Sequence, residues 1–250
     1  MNIFNPWDVS LTTWLSGYGL TRLILFCFVD GFVWAIAPKL SALPSRLRKQ
    51  RRMQHRMDAL EFMFLFINSN IEYVFAQHVM YASCNATFIA RSPYEIDFKN
   101  GFIALWLLIV VDDMLYAPMH RFMHQHTVYK YIHKYHHRNT FPSRGYVDAA
   151  YEHPIEQMVA LTLHWCAIRI VAYFLSRLHV VSVTLHIFLK ALGACFNHTG
   201  CDVCFTIPGP FFIDYSVRSH ETHHRNPQKN FAQYVMFWDR LMGTYQHYQP

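Results

Sequence analysis

GFIALWLLIVVDDMLYAPMHRFMH, residues 101–124, carries an apolar run directly into a pair of histidines, and its reading decides the fold. Residues 101–117 are apolar apart from a few positions that include Asp112 and Asp113, a pattern suited to a helix in lipid or in a large core. Ionisable groups in lipid are costly unless they face a bundle interior or an aqueous cavity, which turns both aspartates inward. His120 and His124 follow one helical turn apart, so their imidazoles leave the same face.

Four further apolar stretches, 11–37, 59–82, 158–175 and 179–196, are broken by Arg22, Asp30, Glu61, Glu72, His164, Arg169, His186 and Lys190. Hydrophobic residues make up 53% and aromatic residues 17%, but charged ones only 15%, against roughly 25% in an average soluble domain. The mean hydropathy is only +0.07 because polar residues, mostly histidines, are concentrated in a few places. We therefore expect an all-α fold, a polytopic membrane helical bundle with cytosolic histidine-box helices. A soluble all-helical protein with a large core is the alternative. The boundaries read as N-terminal membrane helices over 1–112 and a catalytic region over 113–250. The start, MNIFNPWDVS, lacks the positive region of a cleaved signal peptide, so the first apolar stretch is expected to remain as an anchor.

Much of the net charge of +6 lies in RLRKQRRMQHR at 46–56. No base-reading module accompanies it, so it marks a cytoplasmic membrane face rather than a nucleic-acid site. Alternation then places the loop 84–100 outside, where Arg91 and Lys99 are balanced by Glu95 and Asp97. Residues 120–144 fall inside, the last two stretches form a hairpin turning near 176–178, and every histidine cluster shares the cytosolic face. The scattered cysteines Cys27, Cys84, Cys166, Cys195, Cys201 and Cys204 read as free thiols. A knuckle made by Cys201, Cys204 and His198 is a lesser alternative, because no second CxxC exists.

Three clusters carry the chemistry: His120 with His124; His133 with His136 and His137; His220 with His223 and His224. The last two share HxxHH spacing, which chance would produce about 0.08 times in a chain with 17 histidines in 250 residues. A protonated surface cluster would repel itself, whereas a metal uses neutral imidazoles. Eight imidazoles exceed the needs of one ion, so two ions are the economical reading. The paired ExxH of soluble di-iron bundles is missing; Glu152 and Glu156 are expected to support the ligands or shape loops. Imidazole suits iron, and zinc equally.

HRFMH (120–124), IHKYHH (132–137), EHPIE (152–156), NHTG (197–200), SHETHH (219–224) and NFAQYVMFWDRLMGTY (230–245) together resemble the fatty acid hydroxylase and sterol desaturase superfamily over residues 113–245. The resemblance implies an endoplasmic-reticulum membrane enzyme with two metal ions, iron before zinc, facing the cytosol. It implies dioxygen as oxidant, and electrons from NAD(P)H through a reductase or from cytochrome b5. The reaction would turn a lipid C–H bond into an alcohol or an alkene, and the substrate would be a sterol before a sphingoid base or fatty acyl chain. It adds His198 as a ninth ligand and gives His153 a supporting role. His55, His78, His126, His164, His179, His186 and His247 lack the spacing and are expected to be structural or surface residues, with His126 the nearest to an exception.

Two other classes compete. His220-Glu221-Thr222-His223-His224 also reads as HExxH, a membrane zinc metalloprotease helix with Glu221 as base. Box two repeats the histidines without the acid, which favours the oxygenase. A metal transporter would carry its histidines within the spans, and here they lie at span ends.

Overall fold

The computed structural model describes residues 57–201 and 203–249. The stretch 11–37, the basic run 46–56, Cys27 and His55 lie outside them.

Helix α1, Ala59–Asn85, starts where the Asp58 carboxylate accepts the Glu61 N–H at 2.8 Å. A π-turn at Lys99–Ile103 leads into α2, Ala104–Met123. The short helix α3, His126–Tyr129, and a 3-10 helix, His133–Arg138, follow, then α4, Tyr146–Ala149. Helix α5, Pro154–Leu175, begins with proline behind its cap His153, where the missing proline N–H costs nothing. It ends at Ser176, whose left-handed φ of 66° turns the chain back. Helix α6, Val180–Asn197, is capped by His179 and follows the turn expected near 176–178, and both α5 and α6 pack on α2. Strands β1, Ile89–Ala90, and β2, Leu178–His179, pair in parallel and tie the 84–100 loop to that turn. An antiparallel hairpin of β3, Cys204–Ile207, and β4, Ile213–Ser216, precedes α7, Val217–Arg225, and α8, Phe237–Met242.

The described residues form a helical bundle, and among them three helices, Lys99–Met123, Pro154–Leu175 and Val180–Asn197, are long and apolar enough to cross a membrane. Of the four apolar stretches in the described residues, 59–82 is thus helical but falls outside that set. Its polar residues dock the loop that carries the second histidine cluster. Arg144 reaches Glu61 at 2.6 Å, Asn68 donates to the carbonyls of Ala150 and Glu152 at 2.9 and 2.8 Å, and Tyr146 donates to Glu72 at 2.8 Å.

Leu108, Ile168, Val171 and Val183 pack at the centre of the three helices, while Tyr173, Phe174, Leu185 and Phe188 face outward. Apolar side chains gain little from leaving lipid for a protein interior, so helix association there rests on close packing and polar contacts. Both are present. Gly193 lets Tyr234 lie against α6, where its hydroxyl donates to the Lys190 carbonyl at 3.0 Å and a Cβ would overlap it. Asp112 on α2 takes His164 of α5 at 2.7 Å, His186 of α6 at 2.9 Å and Lys190 of α6 at 3.4 Å. Four of the ionisable interruptions read from the sequence, Asp112, His164, His186 and Lys190, therefore join the three helices at one point.

Candidate metal centre

Box one lies at the end of α2, His120 within the helix and His124 as its cap. Box two lies on the 3-10 helix, where an α-helix was expected, and box three on α7. His198 caps α6. All nine histidines are buried and meet at one end of the bundle. They divide into two groups, within each of which the candidate ligand nitrogens lie no more than 4.8 Å apart. One group contains His120, His124, His133, His137 and His223; the other contains His136, His198, His220 and His224. With metal–nitrogen bonds of about 2.1 Å, opposite ligands stand about 4.2 Å apart, so each group has the dimensions of one slightly relaxed coordination sphere.

The division uses the HxxHH spacing reciprocally. From box two the first and last histidines join the five-membered group and the middle one joins the four-membered group. From box three the first and last join the four-membered group and the middle one joins the five. Both boxes thereby form a shared wall, with the His137 and His224 rings 4.6 Å apart.

The tautomers of four imidazoles follow from their outer partners, because carbonyls and carboxylates accept and do not donate. His120 Nδ1–H donates to the Phe231 carbonyl at 2.8 Å, His223 Nδ1–H to that of Lys229 at 2.7 Å and His198 Nδ1–H to that of Ala194 at 2.7 Å. His133 Nδ1–H donates to the Glu156 carboxylate at 2.5 Å. Each Nε2 is left as a bare lone pair pointing into the cluster. His120 and His133 face each other through two such nitrogens at 3.1 Å, where no proton lies between them to make a hydrogen bond. A cation held by both relieves that repulsion, so the donor set fits a metal.

Burial first, and neighbouring imidazoles second, hold His136, His137, His220, His223 and His224 well below the usual histidine range. Burial with His133 alongside brings His124 down to about 3. Neutral imidazoles, the form a metal binds, therefore prevail at neutral pH. Burial, with Glu156 and Glu72 nearby, pushes Glu152 well above the carboxylate range.

The remaining sequence expectations sort clearly. Glu156 supports a cluster histidine, and His153 caps α5 by accepting the Ile155 N–H at 3.2 Å. His126 is exposed and belongs to neither group. His78 packs on Trp165, and His247 on Tyr245. His164 and His186 sit within 4.8 Å of Asp112, but the Lys190 ammonium at 3.4 Å already supplies the positive charge that this buried carboxylate needs. No disulfide and no cysteine-containing metal group occur among the described residues, and Cys204 is exposed. Glu221 is held by Arg225 at 2.7 Å and joins neither group. His220 and His224 share theirs with His136 and His198, whereas a catalytic zinc keeps an open position beside three ligands. The outer carbonyls of Ala194, Lys229 and Phe231 escaped sequence reading, since a backbone acceptor leaves no residue-type signal.

Residues 105–244 match the family described as Fatty acid hydroxylase. Methylsterol monooxygenase 1 of Rattus norvegicus is 30% identical over 137 residues, covering 54% of this chain and 44% of the rat protein. C-4 methylsterol oxidase erg25 of Schizosaccharomyces pombe is 30% identical over 148 residues, 57% of this chain and 47% of the yeast protein. Sphinganine C4-monooxygenase 2 of Arabidopsis thaliana is 31% identical over 149 residues, 56% of this chain and 53% of the plant protein. The chain spans about half the length of these relatives. No solved structure is significantly similar. With more than half of its length matched, the chain belongs to the fatty acid hydroxylase family.

Proposed function

We propose that the chain is a multi-pass membrane oxygenase that holds two iron ions and oxidises a lipid, with a sterol as substrate. His120, His124, His133, His137 and His223 hold one ion, and His136, His198, His220 and His224 hold the other. The reading rests above all on the facing, unprotonated Nε2 atoms of His120 and His133. Iron follows from the family, whose members are iron-dependent oxygenases. Iron held by these histidines would supply the redox chemistry for RH + O2 + 2 e− + 2 H+ going to ROH + H2O, or to the corresponding alkene with two waters. Glu156 and the carbonyls of Phe231, Lys229 and Ala194 keep the Nδ1 protons in place and the Nε2 lone pairs turned inward.

Electrons come from NAD(P)H through a reductase or from cytochrome b5. The site faces the cytosol from the endoplasmic-reticulum membrane, with residues 113–250 as the catalytic region behind N-terminal helices in 1–112. A sterol is favoured because Methylsterol monooxygenase, C-4 methylsterol oxidase and Lathosterol oxidase stand among the relatives. A sphingoid base is the second reading, carried by Sphinganine C4-monooxygenase 2 and Sphingolipid C4-hydroxylase sur2.

The test is metal analysis of the purified protein together with lipid profiling of cells expressing wild type or His220→Ala. About two irons per chain and sterols altered only by the wild type are expected. One tightly bound zinc with no oxygen uptake would overturn the oxygenase reading. Unchanged sterols with new hydroxylated sphingoid bases would replace the substrate.

A further inference from the structure

Residues 230–236 form neither helix nor strand, yet their backbone is closely held. The N–H groups of Phe231 and Ala232 donate to Asp239 at 2.8 Å each. Those of Gln233, Tyr234 and Val235 donate to Asp113 at 2.9, 2.9 and 2.6 Å, and that of Met236 to Asp214 at 2.7 Å. Every backbone donor from 231 to 236 thus ends on a carboxylate. Asn230, just before them, has a left-handed φ of 53°, a conformation asparagine tolerates better than most residues. Its side chain donates to the Ser219 carbonyl at 3.1 Å and the Gln246 carbonyl at 2.9 Å, and accepts the Gln246 N–H at 2.8 Å. Asn230, Asp113 and Asp239 are all buried.

Asn230 separates the two carbonyls that orient cluster histidines, Lys229 for His223 and Phe231 for His120. Both histidines belong to the five-membered group. In the four-membered group the tethered histidine is His198, and its acceptor, Ala194, lies in the preceding turn of α6, remote in sequence from this loop. The two groups are therefore oriented by different parts of the chain.

We propose that Asp113, Asp239 and Asn230 are positioning residues for the five-histidine site alone, and that the two metal sites load independently. The inference rests on the reading of both groups as metal sites. At Asp113, Oδ1 accepts one N–H and Oδ2 accepts two. In Asp113→Asn, one of these positions becomes an NH2 facing backbone N–H donors. The loop must move, and the Phe231 carbonyl moves with it. The His120 Nδ1 proton then loses its acceptor, and loss of such an outer partner weakens metal binding by about 10- to 100-fold.

The experiment titrates metal-free, full-length protein in detergent with Co2+, reading the visible absorption of each equivalent. Wild type is expected to bind about two equivalents. Asp113→Asn and Asn230→Gly should each leave one equivalent as in wild type and weaken the other by about 10- to 100-fold. Glycine at 230 keeps the left-handed backbone accessible and removes only the clamp, so it carries the test if Asp113→Asn fails to fold. His198→Ala should weaken the opposite equivalent, and Asn230→Gly/His198→Ala should weaken both additively. Equal weakening of both equivalents in Asn230→Gly, or of neither, overturns the proposal. Wild type that binds no Co2+ would instead sink the metal reading on which it rests.

Discussion

Glu156→Gln isolates the charge behind one cluster histidine. The Glu156 carboxylate accepts His133 Nδ1–H at 2.5 Å, with side-chain exposures of only 5% and 0%. A buried charge-assisted hydrogen bond contributes about 1.5–3 kcal/mol, against about 0.5–1.5 kcal/mol for a neutral one. The glutamine oxygen keeps the geometry and loses the charge, so the substitution removes about 1–2 kcal/mol of support for the Nδ1–H tautomer. If that support is fully expressed in the metal complex, affinity at the five-histidine site falls by about 5- to 30-fold. Competition between the protein and a chromophoric chelator for Co2+ measures it. Glu156→Gln with wild-type affinity at both equivalents would refute the tautomer argument, because Glu156 is the acceptor in place for the His133 Nδ1 proton among the described residues.

Glu221→Gln tests the protease reading: lipid oxidation should be retained, because Glu221 joins neither histidine group and its contact is to Arg225, whereas a protease would lose its base. Asp112→Asn leaves the Lys190 ammonium without its counter-charge and should cost about 3–5 kcal/mol, read as a lower unfolding temperature in detergent. An unchanged midpoint would remove the Asp112 junction from the account of what holds the three helices together. The depressed imidazoles give the metal-free protein a signed pH dependence. Their contribution is complete above the unfolded value near 6.5 and is lost as pH falls toward the folded value of about 3 at His124, because the unfolded chain binds those protons first. Denaturant midpoints that stay flat from pH 7 to 4 would contradict it. Single-cysteine labels at Asn139 and Gln249 should react from the cytosolic side and one at Ser92 from the opposite side, and a lumenal label at Asn139 would reverse the assigned orientation.

Spacing is local information, and what depends on spacing was legible. The histidines of boxes one to three lie three or four residues apart, so the sequence alone brings them to shared faces, and family resemblance added His198. The partition between two groups was not legible, because it depends on how the 3-10 turn at His133–Arg138 aims its side chains against α7. A 3-10 helix turns every 3.0 residues and an α-helix every 3.6, so equal spacing on the two gives different directions. The hydropathy pattern placed the 59–82 helix but not its neighbours, since Glu61, Asn68 and Glu72 serve the loop behind box two rather than a lipid face. Likewise NFAQYVMFWDRLMGTY was recognisable as a motif before its physics was. Asp239 accepts from the motif's own backbone and Asn230 clamps Gln246 and Ser219 just outside it, while the other two carboxylates, Asp113 and Asp214, come from elsewhere in the chain.

The reciprocal use of boxes two and three bears on how two sites can sit side by side without collapsing into one. Each of these boxes contributes to both groups, so the backbone of the boxes helps set the separation between the groups, while the outer acceptor of a single imidazole bears on one group only. Box one and His198 belong to one group each, and they sit at the ends of α2 and α6. Those helices are joined through Asp112 and Lys190, and through Tyr234 lying against Gly193. The bundle thereby fixes one anchor for each site, and the two short box helices bridge between the anchors. Rigid helices alone would place too few ligands, and loops alone would leave the separation free to vary. The arrangement divides the task, with separation set by packing among the spanning helices and orientation set by hydrogen bonds from the connecting segments.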